Sequence, residues 1–183
     1  MTEMNIETKR LIMRAVEPED ASFLAGLIND PEVRIPLGAY SLIYPTSTEL
    51  ETRWIAESDK KSGEFHVMIT TRSGGKPLGL IGVRELNEKN ASAHLSIMIE
   101  KRSWDKGFGS EAITGMLEFL FDRMNIHRIW LRVDENNARA IRCYEKCRFK
   151  AEGKLREDHF ANGDWRCSLI MAILADEFRG RRI

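Results

Sequence analysis

Two glycines stand one residue apart in Trp104-Asp105-Lys106-Gly107-Phe108-Gly109-Ser110, immediately before a run of helical periodicity. Glycine permits tight backbone geometry and close approach of a ligand to the main chain. The first helical turn that follows offers N–H groups without intrahelical partners, at the positive end of the helix dipole. Two adjacent phosphates could be received there. A ligand-free strand-to-helix turn would use the same glycines, so the spacing alone leaves both readings open. There is no GxxxxGKS/T loop, and the segment falls too late and is too short for GxGxxG, which disfavours an ordinary kinase or dehydrogenase.

Other residues have the types needed to move protons. Ala93 to Ile99 alternates, with Leu95, Ile97 and Ile99 on one face and His94, Ser96 and Met98 on the other. Neutral His94, from a reference pKa of about 6.5, could take a proton directly or through water. Glu85, ending the neighbouring strand, is the alternative carboxylate. A packed histidine and a solvated strand end are the plain readings of these two. Tyr144, with a reference pKa of about 10, could donate a proton at neutral pH or could simply pack in the core. Cys143, Cys147 and Cys167 include no CxxC pair, so structural zinc is disfavoured and reduced thiols are expected. Cys143 has no obvious histidine partner that would make it a nucleophile. His66, His127 and His159 sit in no motif.

The elements around these residues read as a mixed α/β chain. Short strands are expected at Leu11 to Met13, Phe65 to Thr70, Leu78 to Glu85, Ala91 to Ile99 and Ile129 to Val133, with two more joined near Asn162-Gly163. Helices are expected from Pro18 to Asn29, from a cap at Thr46, Ser47 or Thr48 through Trp54 to about Ser58, from Gly107 to about Arg123 and from Asn137 to about Lys146. Residues 32 to 45 are apolar and irregular, fit either to wall a pocket or to fill the core.

Lys plus Arg and Asp plus Glu each number 28, so the formal charge is zero. No overall field draws nucleic acid or an anionic membrane. The start lacks a secretory pattern, and no run reaches the roughly 18 apolar residues of a membrane span. A cytoplasmic protein, monomer or homodimer, is the expectation.

From the glycine loop onward the sequence resembles the GNAT acetyltransferase family, in particular its RimJ/RimL-like branch. The family motif Q/R-x-x-G-x-G/A meets Trp104 to Gly109, with Trp104 at the usual Gln/Arg position. Asn137-Ala138-Arg139-Ala140-Ile141-Arg142-Cys143-Tyr144-Glu145-Lys146-Cys147-Arg148-Phe149 follows N-x-R-A-I-x-x-Y-E-K-x-G-F, with Arg148 in place of glycine. Arg10-Leu11-Ile12-Met13-Arg14 with Asp20 resembles the branch's opening, and Glu152-Gly153 with Phe160, Asn162 and Gly163 its closing hairpin. The resemblance spans nearly the whole chain, as one domain over residues 1–183.

It implies the acyl-CoA N-acyltransferase fold: a mixed, mostly antiparallel central sheet flanked by helices, with splayed strands that bind acetyl-CoA and no metal. Trp104, Asp105, Lys106, Gly107, Phe108, Gly109 and Ser110 would hold the pyrophosphate, and the backbone of Ile97, Met98 and Ile99 the pantetheine arm. Asn137 and Tyr144 would face the cofactor, and Arg139 could offset phosphate charge. By the same resemblance Tyr144 assists thiolate departure, and an N–H near Met98 opposes charge on the carbonyl oxygen. His94, where many relatives carry glutamate, or Glu85 would deprotonate the amine. The expected acceptor is a protein or peptide N-terminal α-amine. A small-molecule amine (polyamine, aminosugar or amino acid) is the alternative, and a non-catalytic CoA-binding regulatory domain a second one. The variable segment from Arg34 to Trp54 would contribute to the choice.

Overall fold

The structure, a computed structural model, describes residues 5–40, 44–58 and 62–180. Its strands are β1 (Ile6–Glu7), β2 (Leu11–Ala15), β3 (Phe65–Thr71), β4 (Pro77–Asn87), β5 (Ser92–Ile99), β6 (Arg128–Asp134), β7 (Lys150–Ala161) and β8 (Asp164–Leu174). They form one sheet in the order β1-β2-β3-β4-β5-β6-β8-β7. The pair β5/β6 is parallel and every other neighbouring pair antiparallel. This is the mixed, mostly antiparallel sheet flanked by helices that the sequence led us to expect.

Period-two alternation gives the sheet two apolar faces. Residues such as Met13, Ile81, Leu95 and Leu131 meet α4 (Phe108–Glu118) and α5 (Ala138–Lys146) in the larger core. Met68 and Leu80 point the other way, onto Leu24 of α1 (Ala21–Asn29) and Ile55 of α3 (Thr48–Ser58). In α4 the apolar stripe Ala112, Ile113, Met116 and Leu117 is fully buried. Burying each large side chain of that stripe contributes about 1.5–3 kcal/mol. Gly115 lets the helix lie close on the sheet, since a Cβ there would stand 2.7 Å from Thr8 Cγ2 and 3.0 Å from Met13 Cε.

The helix expected to reach Arg123 stops being α-helical at Glu118, and Phe119–Arg123 forms a π-helical turn. The widened turn keeps Leu120 and Phe121 buried. The irregular segment is partly helical: α2 (Pro31–Arg34) is capped by the Asp30 side chain, and a 3-10 turn covers Ile35–Tyr40. Leu42 and Ile43 of that segment lie outside the described residues. A last short helix, α6 (Ala175–Phe178), follows β8. Among the described residues no helix is long and apolar enough to cross a membrane.

Arg148, which stands where the family motif has glycine, takes a left-handed backbone with φ 70°. The helix exit is therefore kept, and the Arg148 guanidinium donates to the carbonyls of Glu177 (3.2 Å) and Phe178 (3.1 Å). Those bonds offset a conformational cost of about 1 kcal/mol.

Candidate active site

β5 and β6 are partners only from Ser92↔Arg128 to His94↔Trp130. Beyond His94, β5 stays with β4 as far as Gly79↔Ile99, and β6 stays with β8. The two strands part. Glu100 N–H donates to the Leu78 carbonyl at 2.8 Å, which sets the parity of the ladder. Even-numbered residues of β5 turn their main-chain groups to β4, and odd-numbered residues turn theirs to the gap. Ile97 and Ile99 therefore present backbone to the gap. Met98 does not: its main chain belongs to the β4 ladder, and only the rest of the residue reaches the cavity wall. Of the three residues expected to turn main-chain groups to the gap, Ile97 and Ile99 do so, and the N–H expected near Met98 falls to one of them.

A cavity of about 560 Å³ passes through this gap, walled by elements from both faces of the sheet. From the larger-core side come Trp104, Asp105, Gly107 to Ser110, Asn137, Arg139 and Tyr144. Gly107 caps α4 with φ 78°, a left-handed conformation that suits glycine, and no side chain caps the helix. The first N–H groups of α4 thus face the cavity uncapped by any side chain, which fits a pyrophosphate. Trp104 ties the loop down. Its Nε1 donates to the Ile99 carbonyl at 2.7 Å, and the Arg139 guanidinium lies 3.1 Å from its ring centroid. A residue without the Gln/Arg side chain of the motif thereby joins the end of β5 to α5.

Asn137 lines the cavity and also caps α5, accepting from Ala140 N–H at 3.1 Å. Lys106 falls outside the wall. Its Nζ donates to the Arg102 carbonyl at 2.7 Å, so its side chain braces the loop.

Sequence reasoning overlooked the other brace. Arg10 donates from Nη1 to the Lys106 carbonyl at 3.0 Å, and its guanidinium lies 4.5 Å from the Phe108 ring centroid. Glu111 of α4 holds Arg10 in turn, accepting from its N–H at 2.7 Å and its Nε at 2.6 Å. Burial pushes the Glu111 carboxyl upward, but hydrogen bonds from Thr8 and Arg10 outweigh it and hold the group below the usual range. The arginine that opens the resemblance was the available signal. Replacing Arg10 by alanine is expected to weaken CoA binding about tenfold, measured by titration calorimetry.

Tyr144 is 8 % exposed and packs against Phe149 at 5.8 Å between centroids. Burial, then the neighbouring Cys143 and Cys147 thiols, push its hydroxyl pKa up, against a smaller opposing pull from Arg139. It remains a proton donor across any working pH.

From the α1/α3 side come Leu24, Glu51, Trp54, Arg84, His94 and Arg132, among others. His94 is 1 % exposed and meets Trp130 edge-on at 4.7 Å. Burial, and then the positive charges of Arg84 and Arg132, lower its pKa to about 4. A histidine so placed is neutral at working pH but a weak base. Unfolded, it takes its proton near pH 6.5, so stability falls as pH drops from about 6.5 to 4, where only the unfolded chain is protonated. His94→Gln is expected to remove up to about 3 kcal/mol of that acid-side loss, read as the difference between urea denaturations at pH 7 and 4.5.

Glu85 is not brought to the cavity. The ladder slips between Arg84 and Asn87, Glu85 takes φ 51°, and this bulge leaves its side chain exposed to solvent. Its expected part as base is withdrawn on that ground. Among the described residues no group of three or more His, Cys, Asp or Glu side chains could hold a metal.

Comparison with known proteins agrees with the geometry. The model of the acetyltransferase (GNAT) domain matches residues 10–150. Spermidine N(1)-acetyltransferase of Vibrio cholerae is 28% identical over 172 residues, covering 94% of this chain and 97% of that protein. The same activity from Escherichia coli K12 is 30% identical over 104 residues, covering 57% of this chain and 56% of that one. The crystal structure of the Vibrio cholerae enzyme in complex with CoA and spermine superposes with a TM-score of 0.84, over 94% of this chain and 99% of that chain. These relatives overturn the expected RimJ/RimL-like branch and point instead to the spermidine acetyltransferase side of the family. The chain, with its cavity opening between parted strands, belongs to the GNAT acetyltransferase family, whose members move an acetyl group from acetyl-CoA to an amine.

Proposed function

We propose that this chain, as one GNAT domain over residues 1–183, acetylates a primary amine of a small molecule, with a polyamine such as spermidine as the first acceptor to assay. The observation that carries this reading is the likeness, over 94% of the chain, to an enzyme whose structure holds CoA and spermine.

The donor supplies an acyl group activated as a thioester. The N-terminus of α4 and the Gly107 turn hold its phosphates, with Arg139 beside them. Ile97 and Ile99 offer main-chain groups to the pantetheine amides, completing a ladder that β5 leaves open. One N–H of this pair, turned to the thioester instead of the pantetheine amides, opposes charge that develops on the carbonyl oxygen. Tyr144 gives its proton to the departing sulfur. Holding donor and acceptor together in one cavity supplies much of the rate.

The incoming amine must be neutral to attack. With Glu85 outside the cavity and His94 a weak base, its proton leaves to water. Arg84 and Arg132 favour that loss, because positive charges that lower the His94 pKa act the same way on an ammonium.

The reading is tested by incubating the protein with acetyl-CoA and separate pools of polyamines, aminosugars, amino acids and peptides. A product heavier by one acetyl group in a small-molecule pool is expected. Acetylation confined to peptides would defeat the proposal.

A further inference from the structure

Four carboxylates are buried among the described residues: those of Asp20, Glu51, Glu100 and Asp134. Three have a cation beside them. Arg14 Nη1 lies 2.8 Å from Asp20 Oδ2, Arg102 Nε donates to Glu100 Oε2, and Arg166 Nη1 lies 3.3 Å from Asp134 Oδ2. Glu51 is the exception. It is 5 % exposed, and its carboxylate accepts one hydrogen bond, from Thr46 Oγ1 at 2.6 Å, with no cation of the described residues paired to it. Burying a carboxylate is costly unless it is paired and hydrogen-bonded. Glu51 lines the cavity, so the pairing charge can come from a ligand.

The carboxylate is held in place before any acceptor arrives. Asn29, the last residue of α1, clamps Thr46 twice: its Nδ2 donates to the Thr46 carbonyl at 2.8 Å, and its Oδ1 accepts from the Thr46 N–H at 2.9 Å. The Thr46 hydroxyl then fixes Glu51 in the first turn of α3. Trp54, three residues on, shares that side of the helix and lines the same cavity with Leu24, Leu37 and Leu80. Such walls suit methylene groups, and a carboxylate among them suits an ammonium. The other carboxylate on the cavity wall, Asp105, belongs to the phosphate loop.

We propose that Glu51 receives a second, non-reacting ammonium of the acceptor, so that the cavity selects diamines and longer polyamines over monoamines. The proposal rests on the small-molecule reading above and narrows it to amines that carry a second positive charge. Thr46 occupies one lone pair of the carboxylate and leaves the others for an ammonium, which brings three donors. Thr46 and Asn29 are positioning residues. By fixing the carboxylate in advance they lower the ordering cost of binding.

Matched acceptors that differ by one ammonium test it: butylamine against putrescine, pentylamine against cadaverine, with spermidine alongside. In steady-state assays with acetyl-CoA, kcat/KM is expected to favour each diamine over its monoamine at least about tenfold. Glu51→Gln should collapse that ratio toward one, mainly through KM for the diamine, and Glu51→Asp should restore part of it. Thr46→Val should act in the same direction as Glu51→Gln, more weakly. A merely structural part for Glu51 would lower turnover of both amines alike and leave the ratio as it was. Thermal melts of each variant separate misfolding from lost recognition, and the ratio in the parent protein carries the test if the variants do not fold. No preference for diamines in the parent, turnover confined to aminosugars or amino acids, or a ratio unchanged in Glu51→Gln overturns the part given to Glu51 and leaves the small-molecule reading standing. No turnover of any small amine, with acetylation of peptides instead, overturns both.

Discussion

Replacing Tyr144 by phenylalanine is expected to lower kcat about 10- to 100-fold while CoA affinity stays within about twofold. The effect sits at or below the low end of what a general acid supplies, because a thiolate departs more readily than an alkoxide. Only an oxygen is lost, so packing against Phe149 is retained and the melting temperature should hardly move. The pH dependence adds a second check. With its pKa pushed above the usual tyrosine range by burial, Tyr144 should impose no alkaline loss of kcat up to about pH 10, where an ordinary tyrosine would already be titrating. Single-turnover measurements with saturating donor would show the deficit in the chemical step. An unchanged kcat removes Tyr144 from the mechanism.

Gly79→Ala is expected to be the most damaging glycine-to-alanine change among the described residues. Gly79 faces Ile99 across β4 and β5, and a Cβ there would stand 2.0 Å from the Met98 carbonyl oxygen and 3.0 Å from Ile99 Cα. Both are backbone atoms, so no rotamer change relieves the contact and β5 must shift. A loss of about 3 kcal/mol, or a fall of roughly 10 °C in melting temperature, follows. Donor affinity should fall as well, since Ile97 and Ile99 lie on the displaced strand. Gly26→Ala is the control. Nothing lies within 4 Å of a Cβ at Gly26, which is inside α1, so that variant should gain about 0.5–1 kcal/mol. Chemical denaturation of the two variants side by side checks both signs; equal stability of Gly79→Ala and the parent protein would mean that the strands can part at no cost.

The donor half of the site was legible in the sequence because its requirements are local. Gly107 answers a need for positive φ, the uncapped turn follows from its place before an apolar stripe, and the alternation from Ala93 to Ile99 gives the strand its faces. What failed depends on pairing. Met98 could be assigned to the gap or to β4 only by knowing which partner accepts the Glu100 N–H. Glu85 left the site through a bulge that no glycine announces. Arg10 reaches its partner Glu111 across 101 positions of sequence. His94 looked like a base until burial, and then Arg84 and Arg132 on the neighbouring strands, lowered its pKa. The branch of the family was misread for a related reason: phosphate and pantetheine motifs describe the donor, and no motif of this sequence describes the acceptor.

The cavity takes its walls from both faces of the sheet, with the donor elements on one face and the acceptor elements on the other. We propose that the donor enters from the first side and the acceptor from the second, so that neither passes the other. Initial-rate plots at varied donor and acceptor should intersect, each substrate binding whether or not its partner is present, and a dead-end CoA analogue should compete with acetyl-CoA while leaving the acceptor's own route open.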